Sequence, residues 1–253
     1  MINQSRLIPC LLLDQKKLIK TVQFKNPKYI GDPVNTIKIF NDKFVDEIAI
    51  LDITASKKRF EPDFHLIERI ASECFVPLSY GGGISSFNQV KTIFSLGIEK
   101  VLINSNTFEN PSLIRECADY FGSQSIIAGI DVKKRIWGRH VVYNHKSKKK
   151  TSLDPIEYSK HLESLGAGEL FLTSIDNEGR MEGLDLELIK KVSKKVSIPV
   201  IACGGAKDLL NAKQGIDAGA SAVGVGSLVV YQGPHKAVLI NFPDLEIRNK
   251  IGI

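Results

Sequence analysis

The sequence predicts an α/β protein, a (β/α)8 TIM barrel with an internal half-barrel repeat, spanning residues 1–253 as one domain. Three observations carry this expectation. Eight short, β-branched apolar runs alternate with longer amphipathic stretches, and strands separated by helices pair in parallel, because a parallel neighbour is reached only through a crossover. The second half of the chain repeats the first at a fixed offset, the mark of a duplicated unit. The length, 253 residues, suits one such barrel, which takes roughly 250.

In chain order the strands are expected at Arg6–Leu11, Glu47–Asp52, Pro77–Tyr80, Lys100–Asn104, Ser125–Asp131, Glu169–Thr173, Pro199–Ala202 and Ala222–Val225. Helical patterns lie between most of them, among them Asp32–Asp42, Asp63–Ser72, Ser86–Ser95 and Asp185–Val196.

Composition narrows the class further. With 43% apolar and 25% charged residues the chain is globular and has a large core to bury. No run of 18 uncharged apolar residues occurs, which argues against a membrane span. The start, Met1–Leu13, has no basic region ahead of a long apolar run and no small-residue cleavage site, so it reads as a first strand and the protein is expected in the cytoplasm. Cys10, Cys74, Cys117 and Cys203 are scattered without metal-like spacing and read as free thiols, most of them buried; neither a metal nor a cofactor is expected. A net charge of +6 favours anionic substrates. Part of it lies in Lys146, Lys148, Lys149 and Lys150, where no aromatic residues are interleaved. That run reads as a solvated loop, and nucleic acid is not an expected partner.

The repeat places the candidate site. Glu47 and Glu169 each begin a strand, 122 residues apart, and the same offset carries Gly82, Gly83 and Ser105 onto Gly204, Gly205 and Ser227. The segments Tyr80–Ile84 and Ala202–Ala206 follow strands and precede helices, where glycine lets backbone N–H groups approach an anion at a helix N-terminus. Asn104–Ser105 and Gly226–Ser227 end the next strand of each half. One Gly-Gly pair is only a tight turn. Two at one offset suggest a substrate with phosphates or similar anions at both ends. Active sites of such barrels lie at the C-terminal ends of the strands, which draws attention to Asp52, Asp131 and Asp176. Asp131 is the catalytic candidate, acting as general acid or base; for Asp52 and Asp176 a structural role is equally open.

The segments Arg6–Leu11, Gly31-Asp-Pro33, Leu51–Ser56, Gly81–Ile84, Asn110–Leu113, Gly166–Glu169, Leu172–Asp176 and Gly204–Gly205 resemble the cyclase subunit family of imidazole glycerol phosphate synthase. The resemblance implies a ribulose-phosphate-binding barrel that works with a separate glutaminase subunit docked at its N-terminal face. Ammonia from that partner and a bisphosphorylated ribulosyl-ribosyl aminoimidazole carboxamide nucleotide would give imidazole glycerol phosphate and AICAR. It further implies phosphate poles at Gly83, Asn104 and Ser105, and at Gly179, Gly205, Gly226 and Ser227, with Asp176 among the substrate-binding residues. An ammonia gate falls on Arg6, Glu47, Lys100 and Glu169.

The pattern breaks at one catalytic position. The family's two aspartates end the first and fifth strands; the fifth is Asp131, but the first is Leu12, with Asp14 two residues further on. The loop from Asn144 to Ser152 lacks the family's glycine, and the tail Tyr231–Pro243 is unlike its final helix. A leucine transfers no protons, and losing a positioned acid or base costs about 10²–10⁴-fold in rate. The tail resembles an offshoot of the family that helps place acetamidino groups on surface-polysaccharide sugars, and that resemblance, with Leu12, makes the offshoot the expectation. The alternatives are a genuine cyclase of histidine biosynthesis that has recruited Asp14, and a weakly catalytic barrel that activates its glutaminase.

Overall fold

The computed structural model describes residues 5–58, 60–135, 138–147 and 149–253; Lys148 lies outside them. Eight parallel strands form the barrel: β1 (Arg6–Asp14), β2 (Ile48–Asp52), β3 (Leu78–Gly81), β4 (Lys100–Ile103), β5 (Ile126–Lys134), β6 (Glu169–Ser174), β7 (Val200–Cys203) and β8 (Ala222–Val225). Each pairs with the next in sequence, and the ring closes where Arg6 and Leu7 of β1 meet Ala222 and Val223 of β8. All eight expected runs are strands, six of them matching to within one residue at each end.

Alternation along each strand divides the core in two. One row, with Ile8, Cys10, Ala49, Leu102, Ile127, Phe171, Ile201 and Ala222, fills the barrel interior. The other, with Leu7, Leu11, Ile48 and Val101, packs outward against helices through Phe40, Ile67 and Ile93. Both faces are buried, which is why these strands read as near-continuous apolar runs.

The longer helices are α1 (Pro33–Asn41), α2 (Phe64–Ala71), α3 (Phe87–Ser95), α4 (Ser112–Phe121), α5 (Pro155–Ser164), α6 (Leu186–Ser193), α7 (Leu209–Asp217) and α8 (Leu245–Ile251). Asp32, Asp63, Ser86, Asp154, Asp185 and Asp208 cap six of them by accepting a hydrogen bond from a first-turn N–H, satisfying donors that have no helical partner. The pattern Asp185–Val196 overshoots, since α6 stops at Ser193 with Lys194 as its C-cap.

Two strands run longer than expected, and for the same reason. β1 continues to Asp14 because it folds back through a turn at Gln15 and Lys16, both at positive φ, into a hairpin of Lys17–Val22 and Lys25–Gly31. β5 continues to Lys134 because Val132–Lys134 pair with His140–Val142 of the strand His140–Asn144. Each half-barrel thus opens with a long strand that ends in an antiparallel arm over the barrel mouth. A lysine tethers each arm to a helix cap: Lys16 Nζ lies 3.0 Å from Asp63, and Lys134 Nζ lies 2.9 Å from Asp185.

The tail is not a continuous helix after β8. Tyr231–Gln232 and Ala237–Val238 form a small hairpin, Phe242 packs edge-on to Phe40, and a final helix, α8, follows. Its Arg248 is 3% exposed; Nη1 donates to both oxygens of Asp46 at 2.6 Å and Nη2 to the carbonyl of Phe44 at 3.1 Å. Asp46 in turn accepts the Leu7 N–H at 3.2 Å, so the last helix is latched to the start of the first strand.

Candidate active site

The C-terminal strand ends open into a cavity of about 400 Å³ whose deep wall is apolar, with Leu12, Leu51, Leu102 and Phe171. Cys10 and Cys203 meet above Gly224, where an added Cβ would lie 2.8 and 3.2 Å from the two sulfurs. The contact with Cys203 and burial push the Cys10 thiol well up, so it stays protonated at neutral pH and is no nucleophile. All four cysteines are free, with Cys10 and Cys117 buried and Cys74 and Cys203 partly so.

Asp131 lies in the inward row of β5 and is 6% exposed. Its Oδ2 accepts a hydrogen bond from Asn104 Nδ2 at 2.7 Å, and His145 Nε2 lies 2.9 Å from the same oxygen. Leu12 also lines this cavity, whereas Asp14 does not. Asp14 sits at the hairpin turn, opposite Lys17, and accepts from the Thr54 hydroxyl at 2.9 Å. It supplies no substitute carboxylate to the wall.

Of the residues assigned to the two poles, Gly83, Asn104 and Ser105 line one side of the cavity, and Gly179, Gly205, Gly226 and Ser227 line another. Gly83 and Gly205 both have positive φ, +71° and +102°; a Cβ would come within 2.8 Å of the Phe60 carbonyl at the first and 2.3 Å of the Gly183 carbonyl at the second. Only glycine fits either turn. The buried Ser227 hydroxyl finds no hydrogen-bond partner among the described residues. Lys20 leans over the same pole, since a Cβ on Gly226 would lie 2.4 Å from its Nζ. Its charge is balanced by Glu178 at 3.6 Å, which also accepts from the Thr21 hydroxyl and the Phe24 N–H. Asp176 lies just past the end of β6. It is not on the cavity wall; its carboxylate accepts the Lys134 N–H at 2.7 Å and its carbonyl accepts from Gln23, so it ties the two arms together from outside.

At the opposite end of the barrel, Arg6, Glu47, Lys100 and Glu169 form a closed ring. Arg6 bonds Glu47 at 2.5 Å and also Glu169; Lys100 Nζ lies 3.1 Å from Glu47 and 3.2 Å from Glu169. Both glutamates are buried. Burial works against the charge on Arg6, yet Glu169 and Glu47 together hold its pKa above the ordinary value. Each cation spans both carboxylates, so the ring is neutral and tightly cross-linked.

The lysine run has partners of its own: Lys146 Nζ bonds Glu109 at 2.5 Å and Lys150 Nζ the Lys134 carbonyl at 2.5 Å, while Lys149 is exposed. Among the described residues no cluster of three or more His, Cys, Asp or Glu is placed to hold a metal, and no helix is long and apolar enough to cross a membrane.

A TIM barrel whose halves each bring a glycine turn and a serine to one cavity, above a buried ion-pair ring, defines an enzyme built by half-barrel duplication. The chain belongs to the histidine biosynthesis protein family, whose model matches residues 6–236. It is 47% identical over 251 residues, 98% of both chains, to a Pseudomonas aeruginosa protein provisionally named imidazole glycerol phosphate synthase subunit hisF2. It is 47% identical over 252 residues to a Vibrio vulnificus protein provisionally named subunit hisF3 of the same synthase, covering 98% of this chain and 96% of that one. With the imidazole glycerol phosphate synthase subunit HisF of Alkaliphilus metalliredigens it shares 42% identity over 201 residues, 79% of this chain and 80% of that one. The protein is a HisF-like enzyme subunit.

Lys20, Glu178 and His145 had escaped the sequence reading. Lys20 and His145 arrive on or just beyond the two arms, whose strands bury adjacent residues instead of alternating ones and so leave no period-two signal.

Proposed function

We propose that the chain is the ammonia-using barrel of a two-part synthase. A glutaminase subunit docks at the N-terminal face, and ammonia passes the ring of Arg6, Glu47, Lys100 and Glu169. It meets a phosphate-bearing substrate held between Gly83, Asn104 and Ser105 at one pole and Gly179, Gly205, Gly226 and Ser227 at the other, with Asp131 as the catalytic carboxylate. The reaction serves the acetamidino modification of surface-polysaccharide sugars instead of histidine biosynthesis. One observation carries this choice: Leu12 lines the cavity that holds Asp131, while Asp14 is bonded to Thr54 outside it.

The missing proton-transfer group corresponds to about 3–5 kcal/mol of barrier, a deficit that an ordinary cyclase has to make up. Complementation tests the reading: a strain lacking the histidine cyclase should not grow without histidine when it carries this chain. Growth that depends on Asp14 would restore the cyclase assignment. The reading of a barrel that mainly activates its glutaminase predicts unchanged product formation after Asp131→Asn in the assembled complex.

A further inference from the structure

We infer that His145 is the second proton-transferring group of the cavity and works as a pair with Asp131, where the other half-barrel offers only Leu12. The inference rests on the ammonia-using reading above for its chemistry, but the pairing itself stands on geometry. His145 follows the second arm at a turn in which Asn144 Oδ1 accepts the N–H groups of Lys146 and Ser147 at 2.9 and 3.2 Å. Its ring is held by two others, Phe24 at 5.0 Å from the tip of the first arm and Tyr143 at 4.9 Å. The clamp leaves Nε2 at 2.9 Å from Asp131 Oδ2 and the side chain 19% exposed, on the cavity wall.

Other acidic groups of the wall already have structural duties. Asp52 accepts the N–H groups of Thr54 and Ala55, Glu61 accepts from Gln89, Glu109 is paired with Lys146, and Glu178 holds Thr21, Phe24 and Lys20. Asp131 and His145 remain, side by side. An imidazole both accepts and donates protons near neutral pH, and a neighbouring carboxylate orients it and stabilises the imidazolium.

When ammonia adds to an electrophilic carbon of a bound carbonyl-type substrate, the C–N bond forms from the nitrogen lone pair. The displaced electron pair goes to the oxygen, and the nitrogen carries one proton too many. His145 takes that proton, Asp131 stabilises the resulting cation, and the proton then passes to the oxygen. Protons and electrons balance without any further reagent.

The test uses the full chain with ammonium as nitrogen source and the bisphosphorylated aminoimidazole carboxamide nucleotide as probe, read alongside the proton NMR signals of histidine ring N–H groups. His145→Ala should lower the slow turnover tenfold or more, and added imidazole should restore part of it; a merely structural side chain would not be replaced in this way. The His145 ring signal, assigned by its loss in His145→Gln, should move or vanish in Asp131→Asn. Turnover that falls less than threefold in His145→Ala overturns the proton role. A ring signal indifferent to Asp131→Asn overturns the pair whatever the turnover does. If the chain does not turn over this nucleotide, as a role outside histidine biosynthesis allows, the ring signal alone decides: dependence on Asp131 supports the pair and indifference overturns it.

Discussion

The two half-barrels share a frame and differ in chemistry. Each has a long first strand, an arm over the mouth, a lysine tether to a helix-capping aspartate, a glycine turn at positive φ and a serine at the next strand end. On the first strand of one half the cavity meets Leu12; on that of the other it meets Asp131 with Asn104 and His145 around it. The duplicated parts set backbone geometry, which both ends of an elongated anion need alike. The unpaired parts are the acid–base groups, which are needed only where bonds change.

The sharpest way to break the comparison is to remove its unequal member. Asp131→Asn should reduce ammonium-dependent product formation in the assembled complex by about 10²–10⁴-fold, whereas Asp14→Asn should change it by less than about threefold, because Asp14 serves Thr54 and not the cavity. Equal effects would mean that the halves contribute alike after all. The converse experiment makes the halves equal. Leu12→Asp should raise turnover of the bisphosphate nucleotide to imidazole glycerol phosphate, by less than the full deficit because the groups around position 12 are not arranged to hold a carboxylate.

The shared frame should respond symmetrically. Gly83→Ala and Gly205→Ala each force a side chain into a positive-φ turn, at a cost of about 1–3 kcal/mol, and each should weaken inorganic phosphate binding at its own pole. Calorimetry at saturating phosphate would then report one site lost per variant; retention of both sites would remove the pole assignment. The ring below joins the halves, and there Lys100→Ala should lower glutamine-dependent turnover more than ammonium-dependent turnover. The same loss with both nitrogen sources would rule out a gate.

The smallest contrast lies in the caps. Burial works against the charge on Asp185, yet His140, Lys134 and the Leu188 N–H hold its pKa well below the ordinary value. Burial likewise opposes the charge on Asp63, while the Leu66 N–H and Lys16 lower its pKa more modestly. A carboxyl lowered in the folded state contributes stability above its unfolded value, near pH 4, and that contribution is lost as the pH falls through its folded value. Asp185→Asn should therefore cost about 1–2 kcal/mol at pH 7 and flatten the decline of stability below pH 4. Asp63→Asn should cost less than half as much, because Lys16 is mostly exposed and such pairs are weak. Urea unfolding between pH 3 and pH 7 reads both.

The barrel strands were legible because they are buried on both faces and leave dense apolar runs such as Ile126–Ile130. The glycine turns were legible because the offset that links Gly83 to Gly205 is a relation within the chain. The arms were not: Lys17–Val22 and His140–Asn144 are short and bury neighbouring residues in succession, Leu18 to Thr21 in the first and Val141 with Val142 in the second, so neither shows the alternation that marks a strand. Lys20 and His145, which come with them, were hidden for that reason.

The latch between Arg248 and Asp46 bears on how the chain is made. β1 emerges from the ribosome before the other barrel strands, yet its partner β8 and the latch on α8 lie more than 200 residues later. Until then β1 has one barrel neighbour and presents an open edge, the kind of surface that invites wrong pairing. The first arm folds back on β1 through purely local contacts, Leu12 with Ile19 and Leu13 with Leu18, and it occupies the C-terminal part of that edge from the start. A chain that lost the arm would reach its last strand with the waiting edge uncovered, and its yield of soluble protein would fall before any change in the finished barrel's stability appeared.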